Sequence, residues 1–163
     1  MALLSPADEQ KLREAFNEMT SPVRLLFFTQ SLECEMCPQT KQILDELPPL
    51  SDKITIEEVN FVLERDRASR YGIDRVPGVA LERLDGDGNG TDARIRFIGT
   101  PSGYEFISLV QAVLLVGGKP PALSDENRRR IMAVNQPVHL QVFTTPRDRT
   151  VPGRSAWHTK WRS

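Results

Sequence analysis

Val23-Arg24-Leu25-Leu26-Phe27-Phe28-Thr29, then Gln30-Ser31-Leu32-Glu33, then Cys34-Glu35-Met36-Cys37-Pro38-Gln39-Thr40 is the most informative run in the chain. The apolar, β-prone run reads as a strand covered on both faces. A short polar loop ends it, and a C-x-x-C opens a helical pattern. Cys34 and Cys37 are the only cysteines in the chain of 163 residues, and their spacing lets them pair with each other. We read them as a dithiol/disulfide centre and the rest of the chain as its mount and substrate groove.

Disulfide exchange needs a thiolate nucleophile and a second thiol within reach. A helix N-terminus supplies free N–H groups and the positive end of a dipole, which lower a thiol pKa. Cys34 is expected as the exposed attacking sulfur and Cys37, one turn deeper, as the resolving thiol. Zinc would need two further ligands; no other cysteine exists, and His139 and His158 lie far along the chain. An inert pair is the remaining alternative. Glu33 and Glu35 flank Cys34 and read either as solvated loop carboxylates or as charges that oppose its thiolate.

Upstream of the strand, Leu4 to Met19 reads as a helix, with Ser5 as N-cap, Pro6 in the first turn and Leu12, Phe16 and Met19 on one face. The helix after Cys34 carries Ile43, Leu44 and Leu47 and stops at Pro48-Pro49. Ile54 to Val59 reads as a strand, and Leu63 to Tyr71 as a helix closed by Gly72. Gly78 to Leu84 and Ala93 to Ile98 read as a hairpin around Asp85-Gly86-Asp87-Gly88-Asn89-Gly90. That turn copies the start of a calcium loop, but Arg96 stands where a bidentate Glu is required. Phe106 to Leu114 marks a last helix ending at Gly117-Gly118. The order is a helix followed by βαβαββα: an α/β fold with a mixed sheet, first strands parallel, last pair antiparallel, and helices on both faces.

Three smaller features stay open on the residues alone. Val76-Pro77 is either a cis peptide, leaving the Val76 N–H and C=O free for an extended substrate, or an edge-strand proline. Asp45 and Asp74 read as surface carboxylates, with proton handling as the alternative. Gly99-Thr100-Pro101-Ser102-Gly103 is either part of a substrate edge or a capped start to the last helix.

A net charge of −1 gives no argument for nucleic acid or an anionic membrane as partner. No apolar run approaches the ~18 residues of a span, and the first residues lack a basic region and a hydrophobic core typical of a signal peptide. Cytoplasmic localisation is expected, and there a C-x-x-C points to catalysis or metal binding rather than to a structural staple.

The C-x-x-C after a buried strand, Arg75-Val76-Pro77, and Gly99-Thr100-Pro101-Ser102-Gly103-Tyr104-Glu105-Phe106 together resemble the thioredoxin superfamily. Within it the chain is similar to the glutaredoxin-like protein disulfide oxidoreductases, which carry two thioredoxin folds in tandem, each with its own C-x-x-C. The likeness covers residues 1 to about 146. It implies a thioredoxin-like fold with an extra N-terminal helix, Cys34 as nucleophile, Cys37 as resolving thiol, and Pro77 as a cis-proline which, with Val76, binds substrate. It also implies protein disulfides as substrates, a flavin-dependent disulfide reductase as electron donor, and no cofactor or metal beyond the dithiol. The Glu-Met between the cysteines departs from the family and leaves redox potential and partner open. The rival reading is a docking or electron-relay module without turnover.

Residues 1–118 read as one such domain and 119–146 as the start of a second. Pro137-Val138-His139-Leu140-Gln141-Val142-Phe143-Thr144 matches Pro22 to Thr29 at five of eight positions, and Leu123-Ser124 echoes Leu4-Ser5. The expected second unit is therefore a helix and a strand. Residues 147–163 read as a basic, irregular tail with five Lys/Arg against one Asp. Read one base out of register, codons for Asp148 to Gly153 can spell P-Y-C-P-G, and those from Trp157 on can spell A-H-x-M-A, as the family would. The first cysteine of that motif needs one further base change. The expectation is that the tail is frameshifted, the alternative a native basic tail.

Overall fold

The computed structural model describes residues 4–144, which divide into two units between Pro121 and Ala122. The first is built on strand β1 (Val23–Thr29), which pairs with strands on both sides. Its side chains alternate between two apolar clusters. Val23, Leu25 and Phe27 enter one, Leu26 and Phe28 the other. Burial on both faces is why the run carries no polar alternation.

Helix α1 (Pro6–Asn17) precedes β1 and starts at Ser5, whose hydroxyl oxygen accepts the Asp8 N–H at 3.2 Å. After β1 come helix α2 (Cys37–Asp45), a single 3-10 turn at Pro48–Leu50, strand β2 (Ile54–Asn60) and helix α3 (Arg65–Arg70). Strands β3 (Gly78–Leu84) and β4 (Gly90–Ile98) form a hairpin, and helix α4 (Tyr104–Val116) comes after it. The sheet order is β2-β1-β3-β4. β1 runs parallel to β2 and antiparallel to β3, and β3 antiparallel to β4. Phe16, Leu44, Leu109 and Val113 cover one face, and Ala68 and Ile73 the other. This is the mixed sheet with helices on both faces expected from the pattern, the extra N-terminal helix included.

The register also buries a charge. Arg24 stands opposite Glu82 on β3, and Glu82 is 3% exposed. A carboxylate at that depth is costly unless it is paired. Arg24 Nε and Nη2 lie 2.8 and 2.7 Å from one Glu82 oxygen, and the Tyr71 hydroxyl donates to the other. Burial, reinforced by the Glu82 carboxylate, pushes the Tyr71 phenol from 10.0 up to about 12. Arg24 also faces Glu57 at 3.4 Å, and Arg67 holds Glu57 at 2.6 Å. The bond from Arg67 lowers the Glu57 carboxyl.

In the second unit Ser124 caps helix α5 (Asp125–Met132) by accepting the Asn127 N–H at 3.2 Å. Residues 137–144, expected as a strand from their likeness to Pro22–Thr29, form none. A strand is a paired state: β1 has a ladder on each side, whereas 137–144 has none among the described residues, and Leu140 and Phe143 stay 85% and 87% exposed. The tail from Arg147 and its reading frame lie outside the described residues. No helix among the described residues is long and apolar enough to cross a membrane.

Candidate active site

β1 and β2 end together, with Thr29 beside Asn60, and the Phe61 N–H donates to Thr29 O at 2.9 Å. From that end of the sheet the chain loops through Gln30, whose amide donates to Leu32 O at 2.7 Å, and through Glu33 at φ 58°. Cys34 and Cys37 form a disulfide with 5.5 Å between their Cα atoms. The helix opens at the second cysteine, so Cys34 lies in the preceding turn and Cys37 is the first residue of α2.

The two sulfurs are not equivalent. Cys37 is 4% exposed and belongs to the larger apolar cluster, whereas Cys34 is half-buried at its margin. Met36, at the N-cap of α2, makes no side-chain cap bond, and Pro38 has no N–H. The helix start therefore keeps backbone donors that no side chain has claimed. Glu33 and Glu35 are exposed. Lys41, one turn on, reaches Glu58 at 2.7 Å and Asp45 at 3.2 Å; the Glu58 bond raises its pKa most. Asp45 and, through Arg75 at 2.8 Å, Asp74 are thus members of surface ion pairs.

The Val76–Pro77 peptide is cis. Gly78, next in the chain, pairs with Phe28 of β1 and Ile98 of β4, so the cis peptide lies at the sheet end from which the cysteine loop departs. A Cβ on Gly78 would sit 2.9 Å from Ile73 Cγ2, so this close approach needs glycine. Pro77 is buried and Val76 half-buried, packed against both clusters.

Two further residues, not singled out individually from the pattern, join these parts. The Thr40 hydroxyl lies 2.9 Å from Met36 O and 2.8 Å from Thr100 Oγ1. Thr100 comes directly after Gly99, whose N–H donates to Pro77 O at 2.8 Å. The sequence signal for Thr40 is its helical phase with Ile43, Leu44 and Leu47, which puts a hydroxyl on the apolar face of the helix.

The Asp85 turn is a hairpin connection. Its carboxylate accepts the Asn89 and Asp87 N–H groups, each at 2.9 Å, and those bonds, Asn89 foremost, hold the Asp85 carboxyl below the usual range. Among the described residues no group of three or more His, Cys, Asp or Glu is arranged to hold a metal ion.

No family model matches the chain. It is 32% identical over 89 residues to a probable thioredoxin of Methanothermobacter thermautotrophicus, covering 54% of the chain and 92% of that relative. A solved structure of the N-terminal domain of the alkylhydroperoxide reductase AhpF from Enterococcus faecalis superposes with TM-score 0.69 at 33% identity, over 80% of this chain and 60% of that one. A protein disulfide oxidoreductase from Aeropyrum pernix superposes at TM-score 0.64 and 24% identity over 82% of this chain, a likeness of fold. The chain spans 60% and 56% of these two solved chains.

Proposed function

The chain belongs to the thioredoxin family, and on that premise we propose that it is a thiol–disulfide oxidoreductase acting on protein disulfides through Cys34 and Cys37. The observation that carries the reading is the pairing of a half-buried Cys34 with a buried Cys37 at a helix start. In the reductive direction the Cys34 thiolate attacks one sulfur of a substrate disulfide. That S–S bond breaks, a Cys34–substrate mixed disulfide forms, and the departing thiolate takes up a proton. Cys37 then loses its proton and attacks the Cys34 sulfur, expelling the second substrate thiol. The substrate gains two electrons and two protons, and the Cys34–Cys37 disulfide is formed. The dithiol is the redox group, and no other cofactor enters the cycle.

Val76 and Pro77 take the substrate backbone in this proposal. With the neighbouring peptide cis, the Val76 N–H and C=O can pair with an extended segment as an added strand would. A flavin-dependent disulfide reductase is the proposed electron donor, and a reducing cytoplasm the proposed setting; the likeness to a reductase N-terminal domain supports the former. Residues 1–118 are proposed as the complete exchange domain and 119–146 as part of a second such unit.

The test is insulin reduction by the full chain with dithiothreitol, alongside mass-spectrometric trapping. Cys34→Ser is expected to abolish turnover, and Cys37→Ser to accumulate a covalent adduct through Cys34. Turnover unchanged in Cys34→Ser refutes the enzyme reading and leaves a docking module.

A further inference from the structure

We propose that Thr40 and Thr100 are positioning residues for the exchange, a hydroxyl relay that polarises the Cys37 N–H toward the Cys34 sulfur and ties it to the cis-proline loop. The inference rests on the exchange reading above and assigns a role to the Gly99-Thr100 segment, which that reading leaves unused.

Proton direction is set by the partners. Met36 O can only accept, so the single Thr40 hydroxyl proton goes to it, across 2.9 Å. Thr100 must then be the donor in the 2.8 Å contact between the two hydroxyls. The Thr40 N–H also donates to Met36 O, at 3.0 Å. The Met36 carbonyl thus carries two donors. It belongs to the same amide as the Cys37 N–H, and a carbonyl loaded with donors makes the N–H of its own amide a stronger donor. In the disulfide form that N–H has the Cys34 carbonyl at 3.4 Å, beyond ordinary hydrogen-bond length. It therefore has donor strength in reserve for a thiolate at the helix start. A hydrogen bond to the charged form lowers a thiol pKa, and the next residue, Pro38, offers no N–H to substitute.

The other end of the relay reaches the proposed substrate site. Gly99, at φ 101°, turns the chain out of β4 while its N–H holds Pro77 O at 2.8 Å. One residue on, Thr100 holds Thr40. Val and Thr have nearly the same shape, so packing at a fully buried position does not by itself call for a hydroxyl. The two bonds made by the Thr40 oxygen account for it.

The test uses the full chain, reduced and free of oxygen, with iodoacetamide alkylation of Cys34 tracked against pH by mass spectrometry. In Thr40→Val the titration midpoint of Cys34 is expected to rise by about half a unit, which is about threefold less thiolate at pH well below the midpoint and a smaller fall in alkylation rate, since the more basic thiolate is the better nucleophile. Thr40→Ser is expected to restore the wild-type midpoint, and Thr100→Val to shift it in the same direction by less. An unchanged midpoint in Thr40→Val overturns the proposal, and so does a shift of equal size in Thr40→Ser, which would assign the effect to the methyl group. If Thr40→Val does not fold, Thr100→Val decides, since Thr100 is only half-buried and the loss of its hydroxyl is tolerable; no shift there overturns the relay. Alkylation needs no substrate, so the relay and the exchange reading fail separately. A shifted midpoint in a protein that reduces no insulin defeats only the latter.

Discussion

Glu82→Gln neutralises a carboxylate that is 3% exposed, without changing its shape. The structure sets the size of the effect. Glu82 accepts two Arg24 nitrogens at 2.7–2.8 Å on one oxygen and the Tyr71 hydroxyl on the other. Hydrogen bonds to a charged group each contribute about 1.5–3 kcal/mol. The amide keeps one acceptor, and Arg24, 27% exposed, falls back on Glu57 and water. The net loss is therefore about 2–3 kcal/mol rather than the full sum. At roughly 3–4 °C per kcal/mol for a chain of this size, Tm falls by about 6–12 °C. Circular dichroism during heating and urea titration measures it.

A loss below about 0.5 kcal/mol would refute the claim that this buried pair supports the sheet. The same variant separates fold from site. Glu82 lies four residues along β3 from Gly78, about 13 Å at the rise of a strand. Disulfide exchange measured well below the lowered Tm should therefore match wild type, and its loss there would refute the separation.

Tyr71→Phe removes the hydroxyl from Glu82 and should cost about 1.5–3 kcal/mol at neutral pH, the range for a bond to a charged group. The folded phenol titrates near 12, above its ordinary 10.0, so its stabilisation is fully present below pH 10 and is lost as pH rises toward 12. Urea midpoints of wild type and Tyr71→Phe should converge over that window, and a gap that does not change with pH would contradict the assignment. Ending the chain after Pro121 should leave the first unit folded and active in exchange, with less self-association once Leu140, Val142 and Phe143 are gone. Near-ultraviolet circular dichroism and light scattering test this; a truncated chain that fails to fold would show that the first unit depends on the residues beyond Pro121.

Much of the element order was legible because it is encoded locally. β1 matches its expected bounds, Val23 to Thr29, since burial on both faces writes itself as an unbroken apolar run. The end of α4 was equally readable from Gly117-Gly118. Misplacements have specific causes. α3 begins at Arg65 rather than Leu63 because Asn60 Oδ1 first accepts the Val62 and Leu63 N–H groups, each at 3.0 Å, and holds those residues in a turn. β4 begins at Gly90, three residues early, because ladder pairing with Leu84 extends to the tip of the hairpin whatever the local β-propensity. Residues 137–144 carry the pattern of β1 without its neighbours, and a pattern without a ladder is not a strand.

The dithiol was readable from local sequence. Cys34 and Cys37 are three residues apart, so their pairing and their place at a helix start are local facts, within reach of turn and helix rules. Cys37, expected one turn deeper, is in the core, in helical phase with Thr40 and Leu44. Cys34, expected exposed, is half-buried, because it precedes the helix and helix phase does not place it. What surrounds them is set by long-range packing. The Thr40–Thr100 contact closes over 60 residues and the Arg24–Glu82 pair over 58. Hydroxyls and charges carry no periodic signature that names a distant partner. Such pairs are settled by strand register and helix packing, which depend on how all the apolar faces are buried together.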